Sequence, residues 1–310
     1  MTKAPQSQLK LGTRRSPLAM AQAEEARAAL CAAQAWSRDR VEIVPVTASG
    51  DRIQDRPLAD IGGKALWTKE LDEWLLAGEI DFAVHSAKDV ETVRPVGTVI
   101  AAVLPREDVR DVLIGAASLE ALPQGARIGT SAPRRAAQML LYRPDCKILT
   151  FRGNVATRLA KLAAGEADAT LLAAAGLHRL GQHNIGTALS VGAWLPAPGQ
   201  GAIIIECRAK DGTMCAQLGS IDHTASRNTL MAERALLAGL GGNCHSAIGV
   251  VTETDGDELF MRATLFSADG QDRVDGAARF AAGSVHGPID LAADLLARAA
   301  PSIRALFALP

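Results

Sequence analysis

The alternation of apolar and polar positions predicts an α/β architecture for the first two thirds of the chain. Short apolar runs around 41–46, 80–84 and 169–173 have the length of buried strands. Segments with helical spacing lie between such runs, from Pro17 to about Ala33 and from about Trp67 to Ala77. Strands that alternate with helices in this way are typical of open α/β sheets.

Two signals of the first half return in the second half in the same order. The sequence at 11–17 combines Gly-Thr, two arginines and a proline at a helix start, and 127–135 repeats this combination. A Gly-Glu-x-Asp sequence before an apolar strand occurs at 78–81 and again at 165–168. Two motifs that recur in the same order predict two related α/β domains, with a ligand in the cleft between them.

The pattern changes after about Thr224. A helix is followed by three strand-like segments near 248–252, 259–266 and 274–280, and a last helix lies near 291–299. This order predicts a small α+β domain with a three-stranded antiparallel sheet. The Pro- and Gly-rich segment at 195–201 suits a crossing back to the first domain. The predicted division is therefore domain 1 over 1–106 and 201–222, domain 2 over 107–200, and domain 3 over 223–310.

Composition limits the classes of function. The 310 residues carry a net charge of −1 and are 48% hydrophobic and 22% charged, as in ordinary globular proteins. No bulk basic field or interleaved aromatic pattern indicates a nucleic-acid partner. The start lacks the apolar segment of a signal peptide, and no apolar run approaches a membrane span. We therefore expect a cytoplasmic monomer with neither a membrane nor a nucleic-acid partner.

The five cysteines are irregularly spaced and include no Cys-x-x-Cys pair, so a disulfide framework or metal site is not expected. Cys244 differs from the others because it lies in a Gly-Gly-Asn-Cys-His loop. The glycines would let its sulfur project into a cleft, where a thiol beside His245 could act as a nucleophile.

The segment 84–90, Val-His-Ser-Ala-Lys-Asp-Val, is the strongest candidate for chemistry. It places Ser86, Lys88 and Asp89 directly after a buried strand, where open α/β sheets bind ligands. A lysine and a carboxylate there could hold an anionic substrate and also supply a negative charge. Taken alone, the same pair could be a surface ion pair at a strand end.

Further basic and polar residues follow predicted strands or begin helices. Ser16 is a good N-cap, and Arg14 lies beside the free N–H groups of the helix that Ser16 begins, as in an anion site. Lys64 follows a Gly-Gly loop near the same cleft, although a solvated lysine explains it equally well. Guanidinium groups bind carboxylates in pairs of hydrogen bonds, which favours a ligand with several carboxylates. The second-half arginines in such positions are Arg134, Arg135, Arg152, Arg158 and Arg179.

Taken together, these motifs resemble the porphobilinogen deaminase family, whose members are also called hydroxymethylbilane synthases. They occur in the family's order from residue 9 to about residue 250, and the remaining tail fits the family's third domain. The segments that carry the resemblance are 12–19, 62–64, 84–90, 129–131, 134–135, 152–155, 175–177, 198–202 and the Cys244 loop.

The resemblance implies two periplasmic-binding-protein-like α/β domains and a small third domain. It also implies that four porphobilinogen molecules are joined head to tail with loss of ammonia, in tetrapyrrole biosynthesis. The cofactor would be a dipyrromethane held by a thioether to Cys244, and Asp89 matches the catalytic aspartate. The implied cofactor-binding residues are Ser86, Lys88, Thr130, Ser131, Arg134, Arg135, Arg152 and Arg158, and the implied substrate-binding residues are Arg14, Ser16, Lys64, Arg179 and Gln200.

The residue chemistry agrees with this reaction. Loss of ammonia from an aminomethylpyrrole leaves an electron-poor azafulvene, and a carboxylate facing the pyrrole N–H groups stabilises its positive charge. The main alternative is a two-lobed anion-binding protein, which explains the duplicated halves and the arginines equally well. It does not explain Asp89 or the Cys244 loop, and a secreted binder should carry a signal peptide.

Overall fold

The computed structural model describes residues 8–46, 68–243 and 245–307. The described residues form two compact units. The first unit contains 8–46, 68–106 and 202–227, and the second contains 107–201 and the described residues from 228 onward. The division of the chain into three domains stays a prediction.

The strands, in chain order, are β1 (Leu9–Arg14), β2 (Val41–Val46), β3 (Phe82–Ser86), β4 (Thr98–Val103), β5 (Asp111–Ile114), β6 (Arg127–Gly129), β7 (Lys147–Leu149), β8 (Ala169–Ala173), β9 (Thr187–Ala188), β10 (Ile203–Arg208), β11 (Ile248–Asp255), β12 (Glu258–Phe266) and β13 (Arg273–Ala281). The α-helices are α1 (Pro17–Ala33), α2 (Lys69–Ala77), α3 (Pro133–Tyr142), α4 (Val155–Ala163), α5 (Ala174–Arg179), α6 (Gly212–Gly219), α7 (Thr224–Gly239), α8 (His286–Arg298) and α9 (Pro301–Arg304). Single 3₁₀ turns span Arg38–Arg40 and Ala87–Asp89.

The two α/β sheets have the same strand arrangement. The first sheet has the order β2-β1-β3-β10-β4, and the second has the order β7-β6-β8-β5-β9. In each sheet three parallel strands are followed by a reversed strand, β10 or β5, which pairs with its neighbours on both sides in antiparallel register. The prediction of two related α/β folds is therefore confirmed, and the parallel strands bring their carboxyl ends to one edge of each sheet.

Helix α1 shows how sequence spacing produces this packing. Ala23, Ala26 and Leu30 recur on one helical face, are fully buried, and pack against Leu11 and Phe82 of the first sheet. Pro17 occupies the first turn, and the helix ends after Ala33 as predicted. The hydrophobic face thus fixes the start of α1 at the carboxyl end of β1.

The C-terminal part of the second unit is a separate layer. Strands β11, β12 and β13 form a three-stranded antiparallel sheet, as predicted. Leu236 from α7 and Leu295 from α8 belong to the buried cluster on this sheet, together with Met261. A second contact joins the layer to the rest of its unit, because Ala137 of α3 packs with Phe266. Within the described ranges, no helix has the length and apolarity needed to cross a bilayer.

The glycine of each Gly-Thr signal is required by close packing. Gly12 pairs with β2 and β3, and Gly129 pairs with β7 and β8, so the two glycines occupy matching places. A Cβ atom on Gly12 would lie 2.3 Å from the Ile80 side chain, and one on Gly129 would lie 2.4 Å from the Phe151 ring. Both distances are too short for a real Cβ contact, so the repeated glycine marks a crowded strand.

We predict that Gly129→Ala destabilises the fold by about 1–3 kcal/mol, because the buried Phe151 ring has little room to move. Urea unfolding measures this effect. Gly192→Ala is the control, since its nearest atom, Ser190 Oγ, would lie at an ordinary 3.4 Å and the expected change is below about 0.5 kcal/mol. Equal stability of the two variants would show that the crowding at Gly129 is relieved without cost.

Candidate active site

Four predicted residues come together at the carboxyl edge of the first sheet. Arg14 ends β1, Ser16 caps α1, Ser86 ends β3, and Asp89 lies in the following 3₁₀ turn. They line one surface depression. The depression is completed by Leu18, Ala19, Gln22, Thr68, Val84 and His85. The position of this depression agrees with the prediction that ligands bind beyond the carboxyl ends of the strands.

Asp89 and Arg14 face each other across this pocket. Arg14 Nη1 and Asp89 Oδ2 are 3.8 Å apart, which is an ion-pair distance but too long for a hydrogen bond. The Asp89 side chain is 39% exposed and the Arg14 side chain 19%. A carboxylate held in this way is available to N–H donors or a developing positive charge, while the guanidinium beside it suits an anionic group.

Ser86 is oriented by a residue that the sequence analysis missed. Gln22 Nε2 lies 2.8 Å from Ser86 Oγ, and Ser86 Oγ lies 3.0 Å from Gln22 Oε1. Gln22 is buried on the inner face of α1. The signal that the sequence offered for Gln22 was an amide side chain among the alanines of that helical face. Ser16 behaves as predicted, because its hydroxyl accepts a hydrogen bond from the Ala19 N–H at 3.3 Å.

Three further residues were predicted to bind substrate or cofactor: Lys64, Lys88 and Cys244. Lys88 is half-buried in the same turn as Asp89. Lys64 and Cys244 lie outside the described residues. Beside Cys244, the His245 N–H donates to Asn243 Oδ1 at 2.8 Å.

In the second unit, one group of predicted residues lies where β6 and β7 end. The Thr130 N–H donates to the Leu149 carbonyl at 2.8 Å, and the Ser131 hydroxyl donates to the Phe151 carbonyl at 2.7 Å. These bonds bring the Thr130–Ser131 hydroxyls beside the segment that carries Arg152, which is itself buried. The strand ends thus assemble hydroxyl and guanidinium groups on one edge.

Two other predicted residues of this unit, Arg158 and Arg179, lie farther along the chain. Arg158 Nε donates to the Gly153 carbonyl at 3.0 Å, so Arg158 folds back onto the start of its own helix. Arg179 ends α5 and donates to the Gly201 carbonyl at 3.2 Å. Both arginines are half-buried, and the guanidinium group of each is held by a backbone oxygen.

A second group converges on Asp111, a fully buried carboxylate that the sequence analysis did not single out. Asp111 Oδ1 accepts from Arg135 at 2.7 Å and from Gln200 at 2.8 Å. Asp111 Oδ2 accepts from Arg134 at 2.8 Å and from the Trp194 indole at 2.9 Å. Each carboxylate oxygen therefore has two donors, which is the arrangement that a buried charge requires.

The electrostatics of Asp111 follow from these contacts. Burial alone would raise the pKa of Asp111, but the charges of Arg134 and Arg135, with hydrogen bonds from Arg135 and Trp194, hold it far below its usual range. The two arginines are only 4% and 5% exposed, and each also donates to a backbone carbonyl. These partners are internal, so the predicted role of the two arginines as carboxylate binders stays a prediction.

Sequence profiles of known families match nearly the whole chain. The profile described as "Porphobilinogen deaminase, dipyromethane cofactor binding domain" covers residues 9–216, and "Porphobilinogen deaminase, C-terminal domain" covers residues 228–297. The chain belongs to the porphobilinogen deaminase family. The first profile contains both strand-end groups and Asp111, and the second contains Cys244.

Relatives in this family extend over the full chain. The porphobilinogen deaminase of Sphingopyxis alaskensis is 55% identical over 98% of this chain and 98% of its own. That of Paracoccus denitrificans is 47% identical over 86% of this chain and 87% of its own. Among solved structures, the periplasmic VFT2 domain of Bordetella pertussis BvgS aligns over 69% of this chain and 86% of its own, with a TM-score of 0.38 and 16% identity. The family assignment depends on the sequence relatives.

We predict that Asp111→Asn lowers the free energy of unfolding by about 3–5 kcal/mol, because it leaves Arg134 and Arg135 buried without their counter-ion. Urea unfolding at neutral pH measures this loss. The stabilisation should be complete above about pH 3.9, the carboxyl pKa in an unfolded chain, and should decline as the pH falls below it.

The matched control for this prediction is Asp255→Asn. Asp255 pairs with Arg279 through side chains that are 66% and 54% exposed, and we expect a loss below about 1 kcal/mol. If the two variants lost equal stability, Asp111 would be no more than another surface ion pair in energetic terms.

Proposed function

We propose that this chain is a hydroxymethylbilane synthase of the cytoplasm, active as a monomer. It joins four porphobilinogen molecules head to tail on a dipyrromethane primer linked to Cys244, and then releases linear hydroxymethylbilane by hydrolysis. Each addition breaks the C–N bond of an aminomethyl group, releases ammonia, and forms a C–C bond to the next pyrrole. The observation that carries the proposal is the accessible Asp89 carboxylate in a pocket with Arg14, in a chain of this family.

Asp89 supplies the negative charge that the substrate chemistry needs. When ammonia leaves, positive charge spreads over the pyrrole ring and its nitrogen. A carboxylate in the pocket stabilises that charge and accepts hydrogen bonds from pyrrole N–H groups. Arg14 lies 3.8 Å away, and a substrate carboxylate can bind to its guanidinium on the other side of the pocket.

The donor set fits a ligand with many carboxylates. Each pyrrole carries an acetate and a propionate, so a growing chain gains negative charge at every step. Hydroxyl, ammonium and guanidinium groups match this charge in both units. When bound, the dipyrromethane supplies the pyrrole carbon to which the first substrate is joined. The residues proposed to hold cofactor and substrate carboxylates are Ser16, Lys64, Ser86, Lys88, Thr130, Ser131, Arg152, Arg158 and Arg179.

This proposal gives a different role to Arg134, Arg135 and Gln200. Their donors meet the buried Asp111 carboxylate, which ties the start of α3 to the start of β5. Any binding of cofactor by these three residues would use the hydrogen-bonding groups that Asp111 does not engage. Asp111 would then fix the orientation of their guanidinium and amide planes.

We predict that the purified protein, incubated with porphobilinogen, gains the mass of two linked pyrrole units, and that Cys244→Ser does not. Intact-protein mass spectrometry measures this directly. Cys215→Ser is the control, because its half-buried thiol lies in the first unit, and it should gain the same mass as the wild type. A wild-type protein that stays at its sequence mass would overturn the proposed function.

We also predict that Asp89→Ala lowers porphobilinogen turnover by at least about 100-fold, because the developing charge loses its counter-ion. The thermal unfolding midpoint should barely change, since the Asp89 side chain is 39% exposed. Asp39→Asn removes another exposed carboxylate of the same unit and should leave turnover unchanged. Near-normal turnover in Asp89→Ala would refute the catalytic role.

A further inference from the structure

Four buried charged or titratable side chains lie behind the wall of the first-unit pocket. Asp72 comes from α2, His85 from β3, Glu206 from β10, and Arg94 from the segment after the Asp89 turn. Their side chains are between 0% and 9% exposed. All four belong to the same compact unit.

Arg94 connects the two carboxylates of this network. Its Nε donates to Glu206 Oε1 at 2.8 Å, and one terminal nitrogen donates to Glu206 Oε2 at 2.9 Å. The same terminal nitrogen also donates to Asp72. A bidentate bond to one carboxylate and a bond to a second are the geometry that guanidinium permits and ammonium does not.

His85 links the network to the pocket. Its ring nitrogen Nε2 lies 3.4 Å from Glu206 Oε2, and its side chain lines the depression that contains Asp89. Burial lowers the pKa of His85. Of the charged groups that face it, Glu206 and Asp72 favour the protonated ring, whereas Arg94 and Arg14 oppose it. The charge state of His85 therefore depends on whether Arg94 balances the two acids.

Both ends of the segment that carries Asp89 are attached to β10. Before the segment, Ser86 and His85 pair with Ile203 and Ile204 of β10, and the Ala87 N–H donates to the Ala202 carbonyl at 3.0 Å. After the segment, Arg94 ties the chain to Glu206 on the same strand β10. The turn with Asp89 is therefore held between two attachments to one strand.

We propose that Arg94 is a positioning residue for the reaction: it anchors the chain beyond Asp89 to Glu206 and Asp72, and its charge opposes protonation of His85 in the pocket wall. The inference rests on the proposed function, because Asp89 is the group that Arg94 would position. With Arg94 removed, the Asp89 turn loses one attachment, and the charges of Glu206 and Asp72 favour the protonated His85 ring without opposition from Arg94.

The test uses the cofactor-loaded enzyme and two substitutions at this position. Arg94→Met removes the charge, and Arg94→Lys keeps the charge but cannot bind Glu206 through two parallel hydrogen bonds. We expect Arg94→Met to lower kcat by about tenfold or more, with a much smaller change in KM, because a misplaced Asp89 affects the reaction more than binding. Arg94→Lys should recover part of kcat.

The charge of His85 gives a readout that a purely structural role would not change. In the wild type, the His85 ring signals in NMR should titrate below pH 6.5, the ordinary value for histidine. In Arg94→Met the midpoint should rise relative to the wild type, and the acid limb of the kcat–pH profile should move with it. Arg94→Lys should titrate like the wild type. Arg94→Met combined with Glu206→Gln should also return the midpoint towards the wild-type value, because it removes the unpaired carboxylate beside His85.

Controls separate this inference from the proposed function and from misfolding. Arg38→Met removes a surface guanidinium that is 64% exposed and should leave kcat and the His85 titration unchanged. The intact-protein mass must show the bound cofactor in every variant. A wild-type protein without the cofactor would refute the proposed function itself rather than the role of Arg94. If Arg94→Met is unstable, the double variant that also carries Glu206→Gln provides the kcat measurement. Wild-type kcat in Arg94→Met or in the double variant would overturn the proposal. An unmoved His85 titration in Arg94→Met would also overturn it.

Discussion

Each of the two α/β sheets buries an acidic side chain on its reversed strand. The positions of arginines near the predicted site depend on ion pairs with these two acids. Asp111 begins β5 and accepts from four donors, whereas Glu206 lies within β10 and is paired with Arg94. A buried carboxylate without partners would cost several kcal/mol, so each acid requires arginines from neighbouring segments. Those arginines belong to the start of α3 and to the segment after Asp89. The same ion pairs that satisfy the interior therefore fix the backbone beside the chemistry.

Long elements with strong local signals could be predicted from the sequence. Helix α1 has a serine cap, a proline in its first turn and an apolar face of regular spacing, and its bounds of Pro17 and Ala33 agree with the prediction. Strands β4 and β5 were not predicted. Strand β5 has four residues and begins with an acid, and its place in the sheet is set by pairing with β8, which follows it by more than fifty residues. Such pairing leaves no local pattern for a sequence analysis to detect.

Some residues of the candidate site could likewise be predicted from the sequence, and others could not. The strand-end rule places Arg14, Ser16, Ser86 and Asp89 together because each follows or ends a parallel strand of one sheet. Arg134 and Arg135 were predicted to reach a ligand because they begin a helix beside a strand end. Both are buried and paired with Asp111, which lies more than twenty residues away in sequence, and their role as carboxylate binders stays a prediction. Gln22 and His85 were missed for a similar reason. The role of a buried polar side chain on an apolar face can be inferred only when its hydrogen-bonding or ionic partner is known.

The duplicated fold therefore explains where the predicted site residues lie in each unit but not which residue types occupy those places. Gly12 and Gly129 occupy matching crowded places, and each is followed by a threonine that is buried. After these threonines the two units diverge, with Arg14 in the first and Ser131 in the second. Arg14 and Ser86 occupy the last paired positions of their strands, opposite Val46 and Ile203, whereas Ser131 follows the end of β6. The buried acids differ from these residues because each forms ion pairs in the interior with arginines of neighbouring segments. A substitution at either acid would therefore disturb the core as well as the segments that carry those arginines.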